Sequence, residues 1–152
     1  MSPALIALVW LQTAPLAGPA TVVDAQTLEI GGQRVTLWGV RTPAEGRRCL
    51  YESSEYDCGA QTRYSLSRLV EDREVRCEPK GAGVARCEVR WSECFGLQCN
   101  DYWRDLAREL VDQGEAVQDR SQSGGVYDEA EADARRARIG VWGDPEGGGW
   151  SR

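Results

Sequence analysis

Apolar and polar positions from Thr21 to Trp38 follow a strand-like order. Thr21–Val23 and Thr27–Ile30 are β-branched or apolar, Gly31-Gly32 supplies a hairpin turn, and Val35, Leu37 and Trp38 continue on the partner. From Arg41 to Gly59 the chain is polar and without period, which predicts a loop closed by Cys49 and Cys58. Ala60–Val70 reads as a helix whose apolar side carries Tyr64, Leu66, Leu69 and Val70. Val75–Cys77 and Val84–Val89 read as paired strands about the turn residues Pro79, Gly81 and Gly83. Trp103, Leu106, Ala107, Leu110 and Val111 recur at helical spacing, so a second helix is predicted from Asp101, capped by Asn100 and stopped by Gly114. After a loose "DRSQSGG" a third helix is predicted over Tyr127–Ile139, with Tyr127, Ala130, Ala134 and Ala137 buried and Gly140 as its stop. Strands, a helix, a hairpin and two further helices make a small β-barrel with helices packed around it.

Composition narrows the chemistry. A chain of 152 residues supports one core and one domain. Its net charge of −6 repels nucleic acid at long range, although a local basic cleft could override the average. It has no histidine, so imidazole acid–base chemistry and imidazole metal ligation are excluded, leaving carboxylates, Arg, Tyr and Cys.

Residues 1–20 carry no charged side chain, and Ala4–Leu11 is a compact apolar run followed by Pro15, Pro19 and small residues. The stretch is read as a secretory signal peptide cleaved after Ala17 or Ala20. A retained anchor and a start codon placed too early are the alternatives. The run is too short and too interrupted for a stable membrane span. Residues 21–145 then form the domain and 146–152 an irregular tail. Six cysteines fit export, and their spacing favours the disulfides Cys49–Cys58, Cys77–Cys87 and Cys94–Cys99. The rival is a metal knuckle at the Cys-x4-Cys of "CFGLQC", but no second matching pair accompanies it.

Five stretches, in this order, resemble the staphylococcal nuclease-like (thermonuclease) family: "VVDAQTLEI", "VTLWGVRTPAE", "YDCGAQTRYSL", "LARELVDQGEAV" and "YDEAEADARRARIGVWGDP". The resemblance covers about residues 20–150. It implies an α+β fold: an OB-fold-like five-stranded barrel with about three helices. The cysteines at 49, 58, 77 and 87 also stand where disulfide-bearing exported members carry theirs.

What the resemblance implies about activity is a loss. The family holds calcium with an Asp where this chain has Gln26, and with a second Asp where it has Arg41. The Glu that handles the attacking water corresponds to Ala44. The two phosphate-neutralising arginines correspond to Thr36 and, by counting back from Val84, to Ala82. A hard cation needs several anionic or carbonyl oxygens, and a fixed positive charge at Arg41 opposes it. Phosphodiester cleavage relies on electrostatic stabilisation of the transition state, and those donors are gone.

Asp24 is kept and is read as support for the bend. Glu45, one residue past the expected Glu, and Arg34 and Arg86, near the lost arginines, are the neighbours that could substitute. The loop acids Glu52, Glu55 and Asp57 are read as a solvated surface. Trp38, Trp91, Trp103, Trp142 and Trp150 are candidate stacking residues; Trp103 and Trp142 fall at core-facing helix positions, and Trp38 and Trp91 stay open.

The expectation is an exported, disulfide-bonded, thermonuclease-like pseudoenzyme of the bacterial periplasm or exterior. It would have no metal or cofactor and would bind a protein partner of the envelope. The alternative is a calcium-dependent nuclease with relocated catalytic groups, and a weaker third reading is a binder of single strands or oligosaccharides.

Overall fold

The computed structural model describes residues 14–143. The expected apolar leader up to Thr13 and the expected tail 146–152 lie outside these described residues.

Strand β1 (Leu16–Val22) is followed by β2 (Thr27–Ile30), β3 (Gln33–Leu37) and the two-residue β4 (Val40–Arg41). Gly31 and Gly32 both have positive φ, 58° and 78°, as a two-residue hairpin turn between right-twisted strands requires. Both expected cleavage points, after Ala17 and after Ala20, fall within β1, whose first residues pair with β7 (Glu74–Gly81) from Leu16↔Cys77 to Pro19↔Glu74.

β7 pairs in turn with the long β8 (Val84–Phe95). β8 also runs parallel to β3, through Thr36↔Val84 and Leu37↔Ala85. The order β3-β2-β1-β7-β8 therefore returns to β3 and closes a ring of five strands. Period-two alternation then points one set of side chains inward. Leu28, Ile30, Val35, Leu37, Val75, Cys77, Ala85, Cys87 and Val89 are all buried in one core.

Helices complete that core. Helix α1 (Cys58–Val70) buries Thr62, Leu66, Leu69 and Val70, while Tyr64, expected on that side, is 62% exposed. Its first turn is capped by Asp57, whose carboxylate accepts from Ala60 N at 2.9 Å and from Gly46 N at 2.9 Å.

The second helix differs from its sequence reading. Asn100, Asp101 and Trp103 belong to an eight-residue strand, β9 (Gln98–Asp105), at the open edge of the sheet. Helix α2 spans only Leu106–Asp112, capped by Asp105, which accepts from Ala107 N and Arg108 N. Trp103 is thus a half-exposed strand residue with the Arg76 guanidinium 4.0 Å over its ring. The helical spacing of Trp103 with Leu106 and Ala107 spans a strand–helix junction.

The stretch expected as a loop between Arg41 and Gly59 contains a hairpin, β5 (Arg48–Tyr51) with β6 (Ser54–Asp57). After α2 come β10 (Val117–Gln118), which pairs with β4, and a short turn of helix α3 (Arg120–Ser123) within the expected loose segment. Helix α4 (Asp128–Ala137) buries Ala130 and Ala134 but leaves Ala137 exposed. It ends at Arg138, which takes the left-handed conformation, so Gly140 opens a 3-10 turn (Gly140–Trp142) instead of stopping the helix. Disulfides join Cys49 to Cys58, Cys77 to Cys87 and Cys94 to Cys99. Among the described residues no helix is long and apolar enough to cross a membrane.

One buried carboxyl couples the helices to pH. Glu115 follows α2, and its Oε1 accepts from Ser65 Oγ of α1 at 2.7 Å while Oε2 is buried without a partner. Burial raises its pKa, and the hydrogen bonds from Ser65 and Gln61 only partly oppose this. A carboxyl with a raised folded-state pKa costs nothing while protonated and costs stability once ionised. The contribution of Glu115 to stability is therefore expected to fall as pH rises above the ordinary carboxylate range. The stability of Glu115→Gln relative to the parent should accordingly rise with pH, reaching a melting temperature about 3 °C higher at neutral pH. Equal pH slopes for the two proteins would contradict this assignment.

Candidate functional site

The bend between β1 and β2 is built by Asp24, whose Oδ1 accepts from Gln26 N at 2.8 Å. That hydrogen bond turns the chain and aims the Gln26 side chain at the crossing from β3 to β4. There Gln26 Nε2 donates to Val40 O at 2.8 Å and to Leu37 O at 3.4 Å. Its Oε1 accepts from Thr42 N at 3.2 Å and from Thr42 Oγ1 at 3.3 Å. The backbone contributes as well, because Leu37 N donates to Gln26 O at 2.9 Å. A primary amide, with donor and acceptor on one planar group, matches this set of partners.

Beside this clamp opens a cleft of about 580 Å³, lined by Val23–Thr27, Thr36, Thr42–Glu45 and Arg63. One wall, Thr42–Glu45, is fixed from behind. Gly59 of α1 lies so close to it that a Cβ there would stand 2.0 Å from Ala44 O. Arg47 N donates to Ala44 O, Cys58 N donates to Arg47 O, and the Cys49–Cys58 disulfide fastens the hairpin to the start of α1.

The sequence-singled positions separate at this cleft. Gln26, Thr36 and Ala44 come together in its lining, with Asp24 and Glu45. Arg41 does not line it; it is an exposed residue of β4, paired with Val117 of β10. Ala82 is exposed at the β7–β8 turn, next to Gly83, whose carbonyl accepts from Thr36 N at 2.8 Å.

Nearby arginines are held elsewhere. Arg34 pairs with Glu29 on the outer surface at 3.4 Å. Arg86 donates to Asp105 Oδ2 at 2.9 Å, an oxygen that also accepts from Tyr127 Oη at 2.8 Å. Tyr127 is buried, and burial followed by the Asp105 charge pushes its phenol far above the ordinary range, so it stays a donor.

Glu45 does reach the cleft, but it is paired with Arg63 Nη1 at 3.1 Å. Arg63, like Thr42, is a lining residue that sequence reasoning missed. Its position on α1 carries no local signal, because only the packing of α1 against the Ala44 loop brings it here.

Chemically the cleft is lined by threonine hydroxyls, one fully engaged amide, one carboxylate shared with the backbone and one ion pair. Among the described residues no three Asp, Glu, Cys or His side chains converge as metal ligands. The calcium ion of the resembled family does not fit this donor set. Gln26 Oε1 is already committed to Thr42, and its Nε2 presents hydrogens where further oxygens would be needed.

Of the aromatic candidates, Trp150 lies outside the described residues, and the others have partners. Trp38 packs edge-on against Tyr127 with ring centroids 6.3 Å apart, and Lys80 Nζ lies 5.6 Å from its ring. Trp91 carries the guanidiniums of Arg73 and Arg104 at 4.1 and 4.8 Å. Trp142 is half-buried in the 3-10 turn, with Arg135 at 4.2 Å.

No protein-family model matches the chain. Among curated proteins, the succinoglycan biosynthesis protein ExoI of Rhizobium meliloti (strain 1021) is 32% identical over 130 residues. The match covers 84% of this chain and 65% of ExoI, so the chain spans slightly under two thirds of that relative's length.

Proposed function

We propose that the chain is a non-catalytic binding module on a thermonuclease-like, OB-type ring, exported to an oxidising compartment. It acts in the assembly of a glycan at the cell envelope, by engaging a protein partner there. The observation that carries the loss of catalysis is the Gln26 clamp: at the position of a metal carboxylate, an amide donates to two carbonyls and accepts twice from Thr42. The pairing of Arg63 with Glu45 in the cleft and the diversion of Arg86 to Asp105 support the same reading. Three disulfides support an oxidising compartment. The similarity to a succinoglycan biosynthesis protein supports the link to glycan production.

A nuclease with relocated groups is the second reading, favoured by one observation, the Glu45–Arg63 pair in the cleft. One carboxylate tied to one guanidinium supplies neither the oxygen set of a cation site nor a free cation for a pentacovalent phosphate.

Two measurements separate the readings. Incubation of the purified protein with single-stranded DNA and calcium should leave the DNA intact, as in EDTA controls; calcium-dependent cleavage above a mock preparation would establish the nuclease instead. In the second, Gln26→Glu places a carboxylate against Val40 O and Leu37 O. It should lower unfolding free energy by about 2–4 kcal/mol through lost donors and repulsion. Added calcium should not restore it. A Gln26→Glu protein that calcium stabilises would reveal a surviving cation site.

A further inference from the structure

β8 pairs with β7 only as far as Val89, whereas its pairing with β9 continues to Phe95↔Gln98. From Arg90 onward the two strands therefore form a ribbon that is exposed along nearly its whole length. Register fixes its two faces, because directly opposite residues share a face and alternate residues along a strand do too. Arg90/Trp103, Ser92/Asp101 and Cys94/Cys99 occupy one face. That face is internally satisfied: Asp101 accepts from Ser92 and Arg90, Arg76 covers Trp103, and the disulfide ties the end.

The other face carries Trp91/Tyr102, then Glu93/Asn100, then Phe95/Gln98. Phe95 is 78% exposed and Tyr102 36%. Tyr102 Oη donates to Glu93 Oε1 at 2.7 Å, which sets the phenol ring along the ribbon. The face thus reads ring, carboxylate and amide, ring. It covers four residue steps, about 13 Å at strand rise. The Cys94–Cys99 disulfide fixes this geometry from the opposite side, so little conformational freedom remains to be lost on binding.

The geometry points to this face as a saccharide platform, on which Tyr102 and Phe95 stack against pyranose C–H faces while Glu93, Asn100 and Gln98 hydrogen-bond hydroxyls between them. A sugar ring has an apolar face and a rim of donors and acceptors, and the ribbon offers the complementary alternation along a run long enough for a short oligosaccharide. Single-stranded nucleic acid fits the surface poorly. Glu93 stands at its centre, Arg104 is bound to Glu109, and the chain carries −6 overall. Lipid insertion by two side chains falls short of one acyl chain, which itself anchors only marginally.

The inference deepens the binding-module reading by naming a ligand class, yet it uses none of the cleft residues. Nuclease activity would therefore overturn that reading and leave the ribbon titration unaffected.

The test is a titration of the isotope-labelled full chain with gluco-, galacto- and manno-tetraoses, followed by amide chemical shifts, with oligo-dT as a separate arm. At least one tetraose should shift Phe95, Asn100 and Tyr102. Tyr102→Ala and Phe95→Ala should each weaken binding about tenfold, the size of one lost ring contact. Tyr51→Ala, on the exposed β5–β6 hairpin, should bind as the parent does. The proposal is overturned if no tetraose shifts the ribbon at millimolar concentration, if shifts fall only in the cleft, or if oligo-dT alone binds there.

Discussion

The structure turns on how residue 26 is satisfied. Its position joins three segments: the β1–β2 bend, the end of β3, and the β4 segment leading to Thr42. A single primary amide binds all three, donating to Leu37 and Val40 and accepting from Thr42. An anion here needs a cation beside it to offset repulsion from the two carbonyls, whereas the amide is complementary to the carbonyls themselves. Each hydrogen bond contributes only about 1 kcal/mol net, but losing the donors would remove both of the amide's bonds to carbonyls at a half-buried crossing. The same crossing reaches outward through Gly39, whose N–H donates to Gln122 and whose carbonyl accepts from Asp119 N, tying α3 to the ring.

Charge is distributed to match. The cleft keeps an ion pair and hydroxyls, and Arg86 is drawn to the Asp105–Tyr127 hydrogen bonds. Asp105 also caps α2, so one carboxylate serves helix, strand and buried tyrosine together. These partners are mutually satisfied, which leaves the cleft with a shape and little polarity that is free to act. Free polar and aromatic groups are instead displayed along the β8–β9 ribbon.

Much of this was legible in the sequence. The Gly31-Gly32 turn, the alternation of β2 and β3 and most of α1 follow from local rules that tertiary packing did not oppose. The cysteine spacing likewise fits the three disulfides. The start of α2 was not legible from periodicity, because Trp103 falls at helical spacing while lying in a strand. Asp105, a good cap directly before Leu106, was the available signal. The β5–β6 hairpin lacked any turn signature: Glu52 and Ser53 adopt positive φ without glycine, and the disulfide and the Arg47–Cys58 hydrogen bond supply what local chemistry does not. At the site, the positions of interest could be singled out but not their surroundings. That Gln26 would be saturated, Arg41 exposed and Arg63 brought in beside Glu45 depends on packing between distant segments.

The proposal that the Gln26 amide takes the place of an ion is tested most directly by following the side-chain NH2 resonances of Gln26 during a calcium titration. The account predicts two well-separated resonances protected from solvent exchange, unmoved by calcium, with the backbone amides of Asp24–Thr27 and Val40–Thr42 also unmoved. Rapidly exchanging Gln26 protons, or a saturable calcium shift confined to those segments, would contradict it.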